Sequence, residues 1–168
     1  LVPSWSRQGS TGRGFVNARI ETAAEKPAFR AAMRYRRCLI PASGFYEWQA
    51  RPAGRQPWFF ARKDGRVAAL AGLWERYEGP VGEIVESCAI LTTAADETVA
   101  TEHERMPAVI EPADFGAWLD ASMRDGVRAA SIFRRHEPSV WAGYPVGLGV
   151  NRVGVDGPGL IQPAPGAG

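Results

Sequence analysis

Hydrophobic and polar residues alternate with a period of two over much of this chain, which is the pattern of half-buried β-strands. The alternation predicts strands over residues 15–20, 38–41, 44–49, 58–61, 67–74 and 86–93. Asp64-Gly65 lies between two of these segments and has the composition of a tight hairpin turn. The pattern therefore predicts a protein built mainly from short strands.

Helical spacing of apolar residues is confined to three short stretches, over about 26–35, 112–119 and 123–134. Phe29 and Met33 lie four residues apart and would share the buried face of the first helix. Pro112 suits the first position of the second. Because the helices are grouped and do not alternate with strands, we expect an α+β fold with a mostly antiparallel sheet or a partial β-barrel, and a few short flanking helices.

The length of 168 residues is enough for one domain with a sizeable core. No internal repeat or linker is apparent, so we expect a single domain over 1–168, ending in a flexible Gly/Pro-rich tail over 158–168. The chain begins with Leu1-Val2-Pro3-Ser4-Trp5, an apolar start without a polar lead-in. Since such a segment is normally covered, we expect the domain to be N-terminally incomplete.

Composition and charge limit the classes of function that this chain could have, but they do not select one class. The net charge is only +2, so binding to nucleic acid would need a local basic patch. No apolar run approaches the ~20 residues of a membrane span, and no signal peptide is visible. Cys38 and Cys88 lie in apolar segments and are predicted to be buried free thiols, with a disulfide as the alternative. The His and Cys spacings fit no zinc site, so we expect no metal or cofactor and a cytoplasmic location.

Two residues could carry acid–base chemistry. Glu47 shares a strand face with Phe45, where partial desolvation would raise the pKa of its carboxyl group. The alternative is a strand-edge glutamate that faces water. His103 is flanked by Glu102 and Glu104, which would hold its tautomer; the alternative is a surface histidine in a charged loop. His136 is interpreted as a surface residue at a helix end.

Other side chains could contact a nucleic acid. Asn17 and Arg19 point to the same face of a predicted strand and could orient a phosphate or an oxyanion, although a solvated pair is the alternative. Trp5 could stack on a base if exposed, but its spacing favours the core. Thr92 could donate a hydroxyl at a strand end. A basic set forms either a solvated helix face or a phosphate-binding surface: Arg30, Arg34, Arg36 and Arg37.

Several segments resemble, in the same order, the motifs of the SOS-response-associated peptidase family of abasic-site-processing proteins. The Leu1–Trp5 start resembles the end of the family's Trp-Gly-Leu-Ile/Val-Pro-x-Trp segment. The other blocks are Asn17-Ala18-Arg19-Ile20-Glu21-Thr22, Arg37-Cys38-Leu39-Ile40-Pro41-Ala42, Gly44-Phe45-Tyr46-Glu47-Trp48, Ala71-Gly72-Leu73-Trp74-Glu75, Leu91-Thr92-Thr93-Ala94-Ala95, His103-Glu104-Arg105-Met106-Pro107, Val150-Asn151 and Leu160-Ile161-Gln162-Pro163.

The resemblance implies a protein that binds single-stranded DNA and forms a covalent crosslink at abasic sites. In the family, a cysteine follows the initiator Met, which the protein removes itself. The freed α-amine forms a Schiff base with the sugar aldehyde, and the thiol closes a thiazolidine. By resemblance, Glu47 is the acid/base for imine formation and reversal and assists Met removal, while His103 helps to open the deoxyribose ring. The resemblance thus implies autoproteolytic (hydrolase) and lyase-like activities.

The remaining roles implied by the resemblance concern positioning and DNA contacts. Asn17 would orient the N-terminal cysteine, Arg19 and Arg105 would hold phosphates beside the lesion, Trp5 would stack on or wedge against DNA bases, and Thr92 would contact the site. The implied partner is single-stranded DNA containing abasic sites, bound by a monomer that is associated with the nucleoid when on DNA.

One departure from the family pattern is large: the Met-Cys-Gly-Arg start has no counterpart here. Cys38 and Cys88 cannot replace it, because an internal cysteine has no free α-amine. We therefore expect this chain to be an N-terminally truncated form that is inactive in crosslinking as it stands. The alternative is a non-catalytic module that binds single-stranded DNA or junctions, and the residues upstream of Leu1 would distinguish the two.

Overall fold

The computed structural model describes residues 1–6, 14–52, 54–133 and 140–165. The strands are β1 (Asn17–Arg19), β2 (Arg37–Ala42), β3 (Gly44–Arg51), β4 (Gly54–Arg62), β5 (Ala68–Glu78), β6 (Ile84–Ala94), β7 (Arg105–Pro107) and β8 (Trp141–Pro145). The α-helices are α1 (Ile20–Ala23), α2 (Arg30–Tyr35), α3 (Phe115–Leu119) and α4 (Gly126–Ala130), and 3-10 turns cover Pro112–Asp114, Leu148–Asn151 and Pro158–Ile161.

The strands form two sheets. One has the order β1-β6-β5-β2, with β7 pairing with β6, and the other has the order β3-β4-β8. The pairing of β5 with β6, and all pairing in the second sheet, is antiparallel, whereas β1 runs parallel to β6. The predicted α+β fold with mostly antiparallel sheets and a few short helices is confirmed, and the described part of the chain contains no closed barrel.

The chain is divided into two compact units. The first comprises Leu1–Pro41, Ala69–Thr93 and Pro107–Arg135, and the second comprises Ala42–Ala68, Ala94–Met106 and His136–Gly168. The predicted single domain over 1–168 stays a prediction. In the first unit, the sheet and helices bury an apolar core that includes Ile20, Met33, Leu73, Leu91 and Trp118.

The second unit is built around aromatic residues on the β3-β4-β8 sheet. Phe45 lies opposite Phe60 in the strand register, and their rings stack at 5.4 Å between centroids. Trp141 of β8 meets Phe45 edge-on at 5.2 Å. Gly44 starts β3 because a Cβ at this position would lie 2.3 Å from the carbonyl oxygen of Phe60. This tight packing fixes the strand that carries Glu47.

Several element boundaries differ from the predictions. The strand predicted over 15–20 is limited to Asn17–Arg19, and helix α1 follows at once. The first predicted helix begins only at Arg30, although Phe29 and Met33 are both buried as expected. Strand β2 continues through Pro41 to Ala42 because β2 is an edge strand, where a missing N–H is tolerated.

The turn at Asp64-Gly65 is present, but it does not form a hairpin. Gly65 N–H donates to the Arg62 carbonyl at 3.1 Å. The flanking strands β4 and β5, however, belong to different sheets. The last predicted helix, over 123–134, is reduced to Gly126–Ala130, where Asp125 caps it by accepting from the backbone N–H groups of Val127 and Arg128.

Three expectations based on composition have mixed outcomes. Cys38 and Cys88 are free thiols, but Cys88 is exposed because it lies on the solvent-facing side of β6. Burial raises the pKa of Cys38 to about 11. Part of the predicted flexible tail packs on β8, since Tyr144 donates to the Ile161 carbonyl at 2.9 Å and Ala164 N–H donates to the Pro145 carbonyl at 2.8 Å. Within the described residues, no helix is long and apolar enough to cross a membrane.

Candidate functional site

The second unit brings Glu47 and His103 together. His103 Nδ1 lies 3.2 Å from Glu47 Oε2, although 55 residues separate the two in the chain. Glu47 lies on β3 opposite Trp58, whose ring stacks on Phe60. Its carboxylate therefore shares a face with aromatic rings, as the alternation of β3 predicts. The exposed fraction of the Glu47 side chain is 18%, and that of His103 is 39%.

A short loop holds His103 through backbone hydrogen bonds. Asp96 Oδ1 accepts from the N–H groups of Thr98 and Val99 at 2.9 and 3.0 Å, which closes a helical turn. The carbonyl of Val99, whose side chain is fully buried, then accepts from His103 N–H at 2.9 Å. The position of the imidazole is thus fixed by one carboxylate cap and one apolar anchor.

The surroundings of His103 favour one tautomer. Nδ1 is near two acceptors, Glu47 Oε2 at 3.2 Å and the Arg105 carbonyl at 3.0 Å. It is also near one donor, Arg105 N–H at 3.2 Å. Two acceptors against one donor favour a proton on Nδ1 in the neutral ring, which leaves the Nε2 lone pair available to act as a base.

The electrostatics of Glu47 suit proton transfer. Burial raises the pKa of its carboxyl group above the ordinary value, and the neighbouring His103 partly opposes the shift. A raised pKa brings a carboxylic acid closer to the pH at which it can both donate and accept protons. The pair can therefore function chemically as a coupled acid and base.

A pocket of about 300 Å³ opens beside this pair. Its lining consists of Glu47, Trp48, Ala50, Arg55, Glu102, His103 and Glu104. The indole of Trp48 is held by its Nε1, which donates to Asn151 Oδ1 at 2.7 Å. Arg55 is the residue that sequence reasoning missed. The predicted strands end at residue 49 and resume at residue 58, but β4 begins at Gly54 and Arg55 pairs with Ala50.

Four of the predicted site residues, with Trp5 among them, belong to the first unit. Asn17 and Arg19 are both exposed on the same side of β1, as its alternation predicts. Thr92, which pairs with Arg19 in the strand register, is half-buried, and its hydroxyl donates to the Ala18 carbonyl at 3.4 Å. Arg105 is half-buried and belongs to the second unit with Glu47 and His103.

The expectation that Trp5 lies in the core, which came from spacing, is wrong. Its side chain is 63% exposed. The chain turns at this point, with Ser6 N–H donating to the Pro3 carbonyl at 3.0 Å, and Ser4 is held by its hydroxyl at 3.2 Å from Glu75 Oε2. Trp5 instead lines a surface pocket of about 390 Å³ together with Pro27, Arg30 and Ala31.

The basic set does not form one face. Arg30 and Arg34 are exposed on α2, but Arg36 forms an ion pair with the buried carboxylate of Glu75. Arg37 is 8% exposed and donates to backbone carbonyls, so it is a structural residue. Across the described ranges, no cluster of His, Cys, Asp and Glu has the arrangement of a metal site. His136 lies outside the described residues.

Comparison with known proteins identifies the family. The family model described as SOS response associated peptidase (SRAP) matches residues 1–153. The chain belongs to the SRAP family. The assignment made from the ordered motifs is confirmed.

Individual SRAP relatives cover almost all of this chain. The abasic site processing protein YoqW of Bacillus subtilis (strain 168) is 32% identical over 163 residues, which are 96% of this chain and 73% of the relative. The abasic site processing protein YobE of the same organism is 32% identical over 152 residues, 90% of this chain and 69% of the relative. The crystal structure of a protein from Bacteroides thetaiotaomicron matches with a TM-score of 0.86 at 26% identity, covering 98% of this chain and 74% of that one.

Proposed function

We propose that this SRAP chain is an abasic site processing protein that binds single-stranded DNA at a lost base and carries out Schiff-base chemistry there. The observation that carries the proposal is the Glu47–His103 pair, 3.2 Å apart at an open pocket, with the pKa of the Glu47 carboxyl raised by burial. The names of its relatives point in the same direction.

The first chemical step is opening of the abasic sugar. The hemiacetal must lose the proton of its C1′ hydroxyl while the ring oxygen gains one, and the bond between C1′ and the ring oxygen breaks to give an aldehyde and a free C4′ hydroxyl. His103 suits the deprotonation because the favoured tautomer leaves Nε2 free. Glu47, with a raised carboxyl pKa, suits the donation of the other proton.

The second step is capture of the aldehyde by an α-amine. The amine adds to the carbonyl carbon, and the resulting carbinolamine loses water after its hydroxyl is protonated, which gives the imine. Addition of a neighbouring thiol to the imine carbon then closes a thiazolidine. Glu47 would protonate the leaving hydroxyl, and the same proton transfers run in reverse when the imine is hydrolysed.

The required nucleophile is an N-terminal cysteine, whereas residue 1 of this chain is Leu. In the proposal, that cysteine comes from sequence preceding Leu1, Asn17 orients it, and Glu47 also assists the removal of the initiator Met. The chain as printed is then expected to bind the DNA without forming the crosslink.

Surface features of the first unit support contact with a nucleic acid strand. The exposed ring of Trp5 and the guanidinium of Arg30 line one pocket, which is the combination that stacks on a base and neutralises a phosphate. Asn17 and Arg19 present an amide and a guanidinium on one exposed face. Thr92 in the same unit and Arg105 in the second unit complete the proposed DNA contacts.

The test mixes the protein with single-stranded oligonucleotides that are identical except for one abasic site. The chain is expressed both from Leu1 and with whatever coding sequence precedes Leu1 in its gene. Binding is measured as a function of salt, and covalent adducts are detected on a denaturing gel. Glu47→Gln and His103→Ala are compared with Glu97→Gln, which alters an exposed carboxylate on the same loop.

We expect an adduct only with the longer protein and the abasic strand, slowed at least tenfold by Glu47→Gln and unaffected by Glu97→Gln. Salt-sensitive binding without any adduct would favour the alternative function, a non-catalytic module for single-stranded DNA or junctions. If the protein shows neither binding nor adduct, the proposed function is wrong.

A further inference from the structure

The pocket beside Glu47 and His103 has an unusual charge for a protein that acts on DNA. Three carboxylates line it, those of Glu47, Glu102 and Glu104, against the single guanidinium of Arg55 and the imidazole of His103. A nucleic acid strand carries one negative charge per nucleotide, so a carboxylate-lined pocket repels it. The abasic sugar itself is neutral, but phosphates flank it on both sides.

Arg55 is the cationic group placed to offset this repulsion. It lies on β4 opposite Ala50, whose small side chain leaves the arginine uncovered and exposed. Within the described residues, its side chain forms no hydrogen bond or ion pair, even though three carboxylates line the same pocket.

Strands β3 and β4 form an antiparallel hairpin, and two other arginines near its ends already bind side chains of the protein. Arg51 Nε donates to Gln49 Oε1 at 2.7 Å, and Arg62 Nη2 pairs with Asp64 Oδ2 at 2.9 Å. Arg55 therefore differs from its neighbours in having its five N–H donors available to an external acceptor.

We propose that Arg55 binds a phosphate adjoining the abasic nucleotide and so holds the sugar over the Glu47–His103 pair. The planar guanidinium can donate two parallel hydrogen bonds to one phosphate, which fixes the orientation of the strand as well as its position. The carboxylates of Glu102 and Glu104 then exclude the other phosphates from the pocket. This inference deepens the proposed function and rests on it.

The test compares Arg55→Ala and Arg55→Lys with Arg51→Ala, which removes an arginine from the same hairpin but not from the pocket. Binding to a single-stranded oligonucleotide with one abasic site is measured from low to high salt. We expect Arg55→Ala to weaken binding about tenfold at low salt, and to reduce the slope of log affinity against log salt by about 0.7, the value for one phosphate contact on a single strand. Arg55→Lys should keep the slope and lose part of the affinity.

A second measurement locates the contact. One phosphate at a time, on either side of the lesion, is replaced by a neutral methylphosphonate. For the unaltered protein, replacing one of the two phosphates beside the lesion should weaken binding as much as Arg55→Ala does. For the Arg55→Ala variant, replacing that same phosphate should have no further effect on binding. Equal unfolding midpoints for the variants and the unaltered protein exclude a folding defect.

The possible results distinguish a failure of the role given to Arg55 from a failure of the proposed function. If the unaltered protein binds with salt sensitivity but Arg55→Ala behaves like Arg51→Ala, the role of Arg55 is overturned and the proposed function stands. If methylphosphonates weaken the variant as much as the unaltered protein at every position, the contact is overturned in the same way. If the unaltered protein does not bind DNA, both inferences fall.

Discussion

Replacement of Arg37 by Ala is expected to destabilise the first unit severely. This arginine is 8% exposed, and its guanidinium donates to five backbone carbonyls: Trp118 at 2.7 Å, Met33 at 2.8 Å, Arg34 and Met123 at 3.1 Å, and Asp120 at 2.6 Å. Two of the carbonyls lie on helix α2, and the other three lie at the end of α3 and just beyond it. One side chain thus ties two separate segments together.

The magnitude follows from what the substitution leaves behind. Hydrogen bonds to a charged group contribute about 1.5–3 kcal/mol each, but such contributions are not additive within one network. Two of these hydrogen bonds, to the carbonyls of Trp118 and Met33, are buried, and each buried acceptor left without a donor costs about 1–3 kcal/mol, so we expect a total loss of about 3–5 kcal/mol. For a chain of this length, the same loss lowers the midpoint of thermal unfolding by roughly 10 °C.

The assay is urea and thermal unfolding followed by circular dichroism, with Arg34→Ala as the control. Arg34 lies on α2 with an exposed side chain, so its loss should change stability by less than about 0.5 kcal/mol. If Arg37→Ala proved to be within about 1 kcal/mol of Arg34→Ala, the five carbonyls would have to find other donors at little cost, and the structural role given to Arg37 would be wrong.

Two further predictions concern the second unit. Because burial raises the folded-state pKa of Glu47 above its unfolded value of 4.5, the stabilising contribution of this group is complete below that pH and is lost as the pH rises through the folded-state pKa. Denaturant unfolding should therefore show Glu47→Gln gaining stability relative to the unaltered protein as the pH rises above 4.5. A flat or opposite difference would contradict the assigned direction of the pKa shift. Gly44→Ala should lower the free energy of unfolding by about 1–3 kcal/mol, because the new methyl group would overlap the Phe60 carbonyl. Gly147→Ala is the control and should be nearly neutral, because a Cβ there would meet no atom within 4 Å. Equal stabilities of the two variants would refute the packing argument.

The local part of the site could be predicted from the sequence because strand alternation is a local property. The pattern around Glu47 placed its carboxylate on the face of Phe45, and the register of β3 with β4 agrees. The approach of His103 to Glu47 could not be derived in this way. It depends on how the loop that carries His103 folds back onto β3, and the spacing of residues along the chain does not predict that approach. Only the resemblance to the SRAP motifs grouped the two residues.

The errors have identifiable physical causes. Arg37 was placed on a basic helix face, but α2 ends at Tyr35 and the chain becomes a strand, which turns Arg37 inward. Trp5 was predicted to be buried because an apolar pattern cannot distinguish a ring in the core from one exposed at the surface. Arg55 was missed because the predicted strand began only at residue 58, whereas β4 begins at Gly54, whose φ of 129° is readily adopted by glycine.

The unequal burial of Glu47 and His103 suits them to different parts in the proposed chemistry. Glu47 is fixed on a strand whose aromatic neighbours keep water away, and this desolvation is what raises the pKa of its carboxyl group. His103 is more exposed and is held by backbone contacts on a loop, so its free nitrogen can exchange protons with solvent. In the proposed ring opening, His103 therefore accepts the proton of the C1′ hydroxyl, and Glu47 supplies the proton that the ring oxygen gains. The exposed imidazole would then pass its proton to solvent, which returns it to its starting state for the next proton transfer.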